Sequence, residues 1–192
     1  MGTPAKVLTP GELRRLQARA SRGRCAIRNR VMVLLSFKAG LRACEIAGLD
    51  WSMVLAPGGC VGRSLLVAGS IAKNGRARRV PIHRELKRAL LQLHALCDLP
   101  VSGAVIRSQR GGHMRARAVV NWFKETYTEA GLKGCSSHSG RRTFITRSAR
   151  LIGRVGGSLR DVQELAGHRA ITTTERYIEG DRDAQRRLVH LL

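Results

Sequence analysis

The chain has 192 residues, 43% of them hydrophobic, enough to bury one core but too few for more than one domain and a small appendage. Thirty-five Lys and Arg stand against thirteen Asp and Glu, a net charge of +22 that repels itself unless an anionic partner screens it. Nucleic acid fits that balance; a membrane does not, because the longest apolar run, VMVLLSF at 31–37, is too short to span one and no basic amphipathic helix carries a bulky aromatic face.

In chain order, TPGELRRLQARA opens a helix, with Thr9 as N-cap, Pro10 at the first helical position and Glu12 closing a capping box. A second helix is predicted over 24–39, with Ile27, Val31, Leu34 and Leu35 on its buried face and Gly40 ending it. ACEIAGL reads as a brief helix stopped by Gly48. Runs at 64–70 and 76–82 are strand-like, and the Asn74-Gly75 pair between them suits a tight hairpin turn. A helix at 83–97 carries Leu86, Leu90, Leu93 and Leu96 along one face. GAVIRS suits a short strand, and RARAVVNWFKETYTEAGL an amphipathic helix ended by Gly131, with Val119, Phe123 and Tyr127 on its core face. Short helices follow at 138–150, 159–166 and 172–178, with a tail at 181–191; RVGGS is the expected flexible link. The expected fold class is α+β, mainly helical, with one small antiparallel sheet.

The cysteines (Cys25, Cys44, Cys60, Cys97 and Cys135) are odd in number and form no C-x-x-C pair, so free thiols are expected rather than zinc or disulfides. No signal peptide is evident, and the expected setting is the cytoplasm, at the nucleoid.

Four segments are chemically conspicuous: AGLRACEIAGLDW with Arg42, IAKNGRARRVPI with Lys73, HSGRRTFITR with His138 and Arg141, and ELAGHRAITTTERYI with His168 and Tyr177. Arginines donate paired hydrogen bonds to the non-bridging oxygens of a phosphodiester and stabilise charge developing there. A tyrosine hydroxyl can attack phosphorus, although with an ordinary pKa near ~10 it needs local help. Histidines assist proton transfer, and a hairpin lysine can protonate a leaving oxygen. His138 and Arg141 stand three residues apart, close enough on a helix to share a face. Tyr177 has few apolar neighbours in sequence, which suits a hydroxyl directed at a ligand rather than a ring filling a core.

These segments closely resemble the catalytic domain of the tyrosine recombinases, or phage integrases. GLRACEIAGLDW is similar to the family's first box, KNGRARRVPI to its hairpin lysine and basic strand, HSGRRTF to its His-x-x-Arg box, and GHRAITTTERY to its Gly-His and following tyrosine. The match runs over about 24–180, with all four motifs in the family's order. The resemblance implies that Arg42 and Arg141 clamp the scissile phosphate with His138 and His168. It implies Lys73 as general acid, Tyr177 as nucleophile forming a 3′-phosphotyrosyl bond, and Glu45 as the organiser of Arg42. It implies no cofactor, neither ATP nor metal, and action as a homo-tetramer on double-stranded DNA, with accessory DNA-bending proteins as possible partners.

Family members usually carry an N-terminal clamp domain of about a hundred residues. Only about twenty residues precede the first matched helix here, so the expectation is a single catalytic domain over 1–192, with the 181–192 tail exchanged between subunits through Leu188, Val189, Leu191 and Leu192. High charge would compensate for a missing clamp and make affinity fall steeply with salt. Arg76, Arg78, Arg79, Arg107, Arg110, Arg115, Arg117 and Arg142 are expected to contact DNA phosphates without reading bases. His83, His94, His113 and His190 match nothing and are expected to be structural or surface residues. The competing readings are a type IB topoisomerase-like relaxing activity and a non-catalytic DNA-binding accessory.

Overall fold

The computed structural model describes residues 5–178 and 189–190. Its organising element is α2 (Ala26–Lys38). The sequence suggested one apolar face, but every residue from Val31 to Phe37 is buried, Met32, Val33 and Ser36 included. A helix buried all round must be covered on all sides. Here α1 (Pro10–Ala20), α3 (Ala43–Gly48), α4 (Arg84–Leu96) and α6 (Ser139–Leu151) all pack against it. Full burial of a side chain such as Leu34 contributes roughly 1.5–3 kcal/mol.

The expected capping box starts α1: Thr9 N–H donates to Glu12 Oε2 at 2.9 Å, and Glu12 N–H to Thr9 Oγ1 at 3.3 Å. This helix is not a preface to the domain, as a match beginning near residue 24 implied. Leu8, Leu13, Leu16 and Ala20 belong to the main core, and α1 also packs on α5 (Ala116–Glu129). In α5, Val119, Phe123 and Tyr127 turn inward as expected, the two rings stacking at 5.8 Å.

Strands β1 (Ser64–Val67) and β2 (Arg78–Pro81) pair antiparallel, with Leu65 opposite Val80 and Val67 opposite Arg78. Asn74-Gly75 does not make the tight turn its composition suggested. The connection takes all of 68–77, and Gly75 N–H reaches back only to Ala72 O, at 3.0 Å. Burial decides this: Ala72 is buried, and Ile71 lies so close to Gly48 that a Cβ there would come within 2.6 Å of Ile71 Cγ2. The loop therefore folds back over α3 instead of extending the ladder.

Two further expectations change. GAVIRS forms only isolated bridges, at Ala104 and Arg107, because Ala104, Val105 and Ile106 are all buried and no strand among the described residues runs alongside. Leu96, in the last turn of α4, is 70% exposed, unlike Leu86, Leu90 and Leu93. His83 caps α4, its Nδ1 accepting from Glu85 N–H at 3.2 Å. His94 is buried with its ring 4.6 Å from that of Trp51. His113 contacts Ala47 O, and His190 is exposed, so all four histidines are structural or superficial as expected.

Beyond α6, the RVGGS stretch holds the end of a 3-10 turn (Ile152–Val155) and the cap of α7 (Leu159–Ala166). Helix α8 is Ile171–Glu175, shorter than the expected 172–178. Ile145, Val162 and Ala166 form a second, small core under Phe144, Ile152, Leu159 and Tyr177. The predicted tail lies outside the described residues except for Val189 and His190. Among the described residues no helix is long and apolar enough to cross a membrane, and all five cysteines are free.

Candidate active site

The end of α7 is where the conspicuous segments meet. The last carbonyls of a helix lack intrahelical partners and carry the negative end of its dipole. At this end three successive carbonyls each receive a donor from a different part of the chain. Arg78 Nε, from β2, donates to Leu165 O at 3.0 Å. Arg141 Nη2, from α6, donates to Ala166 O at 2.6 Å. Asn74 Nδ2, from the hairpin loop, donates to Gly167 O at 3.0 Å. Gly167 turns the chain out of the helix at φ +62°, and a Cβ there would meet Arg78 Cδ at 2.9 Å, so both the turn and the close approach require glycine.

Arg141 ties this end to the first box. Its Nη1 donates to Gly40 O at 2.6 Å, and the side chain is 4% exposed. Gly40 has φ +64°, and a Cβ would come within 2.5 Å of the Phe144 ring. Burial, and then the neighbouring Arg42 charge, push the Arg141 pKa down to about 10, with Glu45 opposing. The guanidinium stays charged at neutral pH.

Glu45 is fully buried between two arginines. Its Oε1 accepts from Arg42 Nη1 at 2.9 Å and from Arg78 Nη1 at 2.8 Å, while Oε2 accepts from Arg78 Nη2 at 2.9 Å and from Arg42 N–H at 2.8 Å. Burial opposes its charge, but the bonds and charge of Arg78 and Arg42 outweigh it and hold the carboxyl below its ordinary value. Glu45 thus bonds both the backbone N–H and the guanidinium of Arg42. Arg78 must be corrected: its side chain is 7% exposed and its fork is spent on Glu45 and Leu165, which removes it from the surface arginines that could meet a phosphate.

His168 follows the α7 cap. Its Nδ1 lies 2.9 Å from Thr174 Oγ1 in α8, and Gln163 Nε2 donates to its carbonyl at 3.1 Å. Its ring stacks on Tyr177 at 5.6 Å between centroids and 20° between planes. Burial, and then the positive charges of Arg141, Arg42 and Arg78, lower the His168 pKa from 6.5 to about 4. Its folded value lies below its unfolded one, so its contribution to stability is complete above pH 6.5 and drains as pH falls towards 4. In an NMR titration the His168 ring resonances are expected to stay fixed from pH 8 to about 5 and to move only near 4. Movement centred near 6.5 would contradict the arrangement.

Tyr177 is not the isolated ring its sequence neighbours suggested. It packs on the small second core, stacks on His168, and has the Arg142 guanidinium 5.7 Å from its ring centroid. Its apolar neighbours come from α6 and α7, which local sequence could not show. Lys73 is exposed in the hairpin loop. His138 is the exposed N-cap residue of α6, whereas Arg141, one turn on, points inward, so the pair does not present one face. Arg76, Arg79, Arg107, Arg110, Arg115 and Arg117 are exposed and Arg142 half-buried.

Sequence reasoning missed Asn74, Gln163 and Thr174, whose bonds fix the His168 turn. It also missed Arg160 and Arg169, which line a groove of about 760 Å³ with Arg76, Arg79 and His168. Asp161 and Glu164 line it too. The run of side chains reaching 165–167 had no local signal. Among the described residues no group of His, Cys, Asp and Glu is close enough to hold a metal ion. What the site offers is concentrated positive charge, a neutral imidazole and a phenol.

Known proteins resemble this chain in sequence and fold. The family model described as the phage integrase family matches residues 6–183, including α1. Tyrosine recombinase XerC from Brucella suis biovar 1 is 32% identical over 155 residues, covering 79% of this chain and 46% of that protein. The chain thus spans about half the length of the curated relatives it matches. The crystal structure of XerA recombinase superposes with a TM-score of 0.76 at 22% identity, covering 100% of this chain and 66% of that one. The Tn1549 transposon integrase in complex with transposon right end DNA gives 0.76 at 18%, covering 100% and 67%. With a family match over nearly its whole length, the chain belongs to the phage integrase family, the tyrosine recombinases.

Proposed function

We propose that this chain is a single catalytic domain that cuts and rejoins double-stranded DNA at specific sites through a 3′-phosphotyrosyl intermediate. The observation that carries the reading is the stacking of Tyr177 on His168, 5.6 Å apart, within the field of Arg141 and Arg42. A phenol in the field of one buried and one partly buried guanidinium is suited to attack a phosphodiester whose developing charge those cations stabilise. Arg141 spends one N–H on each of two carbonyls, which leaves three of a guanidinium's five for phosphate oxygens. Arg42 keeps its remaining donors beyond Glu45, and His138 and His168 add hydrogen bonds. Tyr177 Oη forms a bond to phosphorus as the bond to the 5′ oxygen breaks. Lys73 protonates that oxygen, and the phenolic proton leaves to solvent. The phosphotyrosine stores the energy of the broken bond for rejoining, so neither ATP nor a metal is needed.

The structural neighbour bound to transposon DNA supports duplex DNA as the partner. The reading extends to a homo-tetramer working at the nucleoid, aided by DNA-bending proteins, with exposed arginines such as Arg76, Arg79 and Arg115 on the backbone.

The test uses a pool of nicked suicide duplexes with randomised arms, from which the wild-type chain captures its own substrate covalently. The expected adduct maps to the peptide containing Tyr177, one of only two tyrosines. An adduct on another residue, or none from any duplex, would overturn the proposal. Exchange between two captured sites, rather than relaxation of one plasmid, then distinguishes recombinase from topoisomerase.

A further inference from the structure

The hairpin loop is held at four points, and Lys73 stands among them. Gly69 is pressed against Gly75, where a Cβ would lie 2.5 Å from Gly75 O. Ile71 wedges against Gly48, and Ala72 is buried. On the far side of Lys73, Asn74 donates to Gly167 O, across a sequence separation of 93 residues. Both neighbours of Lys73 are therefore fixed, one by burial and one by a hydrogen bond, while Lys73 itself is exposed. Among the described residues, only the Asn74 bond joins the loop to the turn that carries His168; the other three anchor it to itself, to the core and to α3.

We propose that Asn74 is a positioning residue for strand cleavage: its bond to Gly167 O latches the hairpin loop to the His168 turn and so sets Lys73 over the leaving 5′ oxygen. The inference rests on the proposed function, in which Lys73 supplies the proton. A short side chain bonded at 3.0 Å confines its own Cα, and the adjacent Lys73 Cα with it, to a small volume. The flexible lysine stem then searches from a fixed base. Without the latch the loop retains its fold but the ammonium starts from many positions, and positioning losses of this kind cost about 10²-fold for a 1 Å error.

Proton donation gives the latch a distinct signature. An alkoxide leaving group needs the proton, whereas a thiolate, with an ordinary thiol pKa near ~8.5, leaves without one. The duplex captured by the wild-type chain is prepared with oxygen or with sulfur at the bridging 5′ position. Single-turnover cleavage is followed for wild type, Asn74→Ala and Lys73→Ala. Asn74→Ala is expected to cut the oxygen substrate at least about 10-fold more slowly than wild type, and the sulfur substrate within twofold of wild type, with DNA affinity unchanged. Lys73→Ala should show the same rescue on a deeper loss. If Lys73→Ala is rescued but Asn74→Ala is slowed equally on both substrates, or on neither, the latch is overturned and the role of Lys73 stands. If sulfur does not rescue Lys73→Ala, the acid role of Lys73 falls and the latch falls with it.

Discussion

Lysine in place of Arg141 is expected to slow strand cleavage by about 10²–10³-fold, although positive charge is retained. The reason lies in what the guanidinium does at once. Two of its five N–H groups hold Gly40 O and Ala166 O, each at 2.6 Å, and three remain for a phosphate. An ammonium offers three donors from a single point and cannot bridge two carbonyls while forking onto an anion. Alanine goes further, because it strands two carbonyls in a site where Arg141 is 4% exposed. A buried group left unpaired costs about 1–3 kcal/mol. Single-turnover cleavage separates wild type from Arg141→Lys, and urea unfolding separates Arg141→Lys from Arg141→Ala. A lysine variant with wild-type cleavage would remove Arg141 from the proposed chemistry.

Glu45→Gln is expected to lower the unfolding free energy by about 3–5 kcal/mol, the usual cost of removing one partner from a buried ion pair. Glutamine keeps the shape and one acceptor but leaves Arg42 and Arg78 uncompensated, with Arg141 close enough for their charges to depress its own pKa. The sign with pH follows from Glu45 itself. Its folded value lies below the ordinary 4.5, so its stabilisation is present above that pH and is lost as pH falls through the folded value. The gap in urea midpoint between wild type and Glu45→Gln should therefore narrow as pH falls from 7 through the acid range. A loss under about 1 kcal/mol at pH 7 would place the pair with surface salt bridges, whatever its burial.

How much of this was legible in the sequence depends on the range of each cause. The Thr9 and Glu12 cap, the α5 core face and the small antiparallel sheet rest on neighbours a few residues apart, and local pattern revealed them. Arg42, Arg141, His168 and Tyr177 stand in the boxes that resemble the family's. Pattern failed where burial from afar intervened. Asn74-Gly75 has turn chemistry, yet Ile71 and Ala72 pull the loop onto α3. Arg78 sits in a basic strand that reads as solvated, yet it faces Glu45, thirty-three positions away. Leu96 continued a periodicity that the end of α4 does not bury.

The two cores differ greatly in size, and that asymmetry has a consequence for motion. Helices α1 to α5 share a large apolar interior, whereas among the described residues only Ile145, Val162 and Ala166 are fully enclosed beneath Tyr177. Regions with few buried apolar contacts open at a lower free energy than the global transition. The phenol therefore rides on the part of the fold that is expected to exchange its amide hydrogens sooner. The arginines at 78 and 141 fasten that part to a frame that opens last.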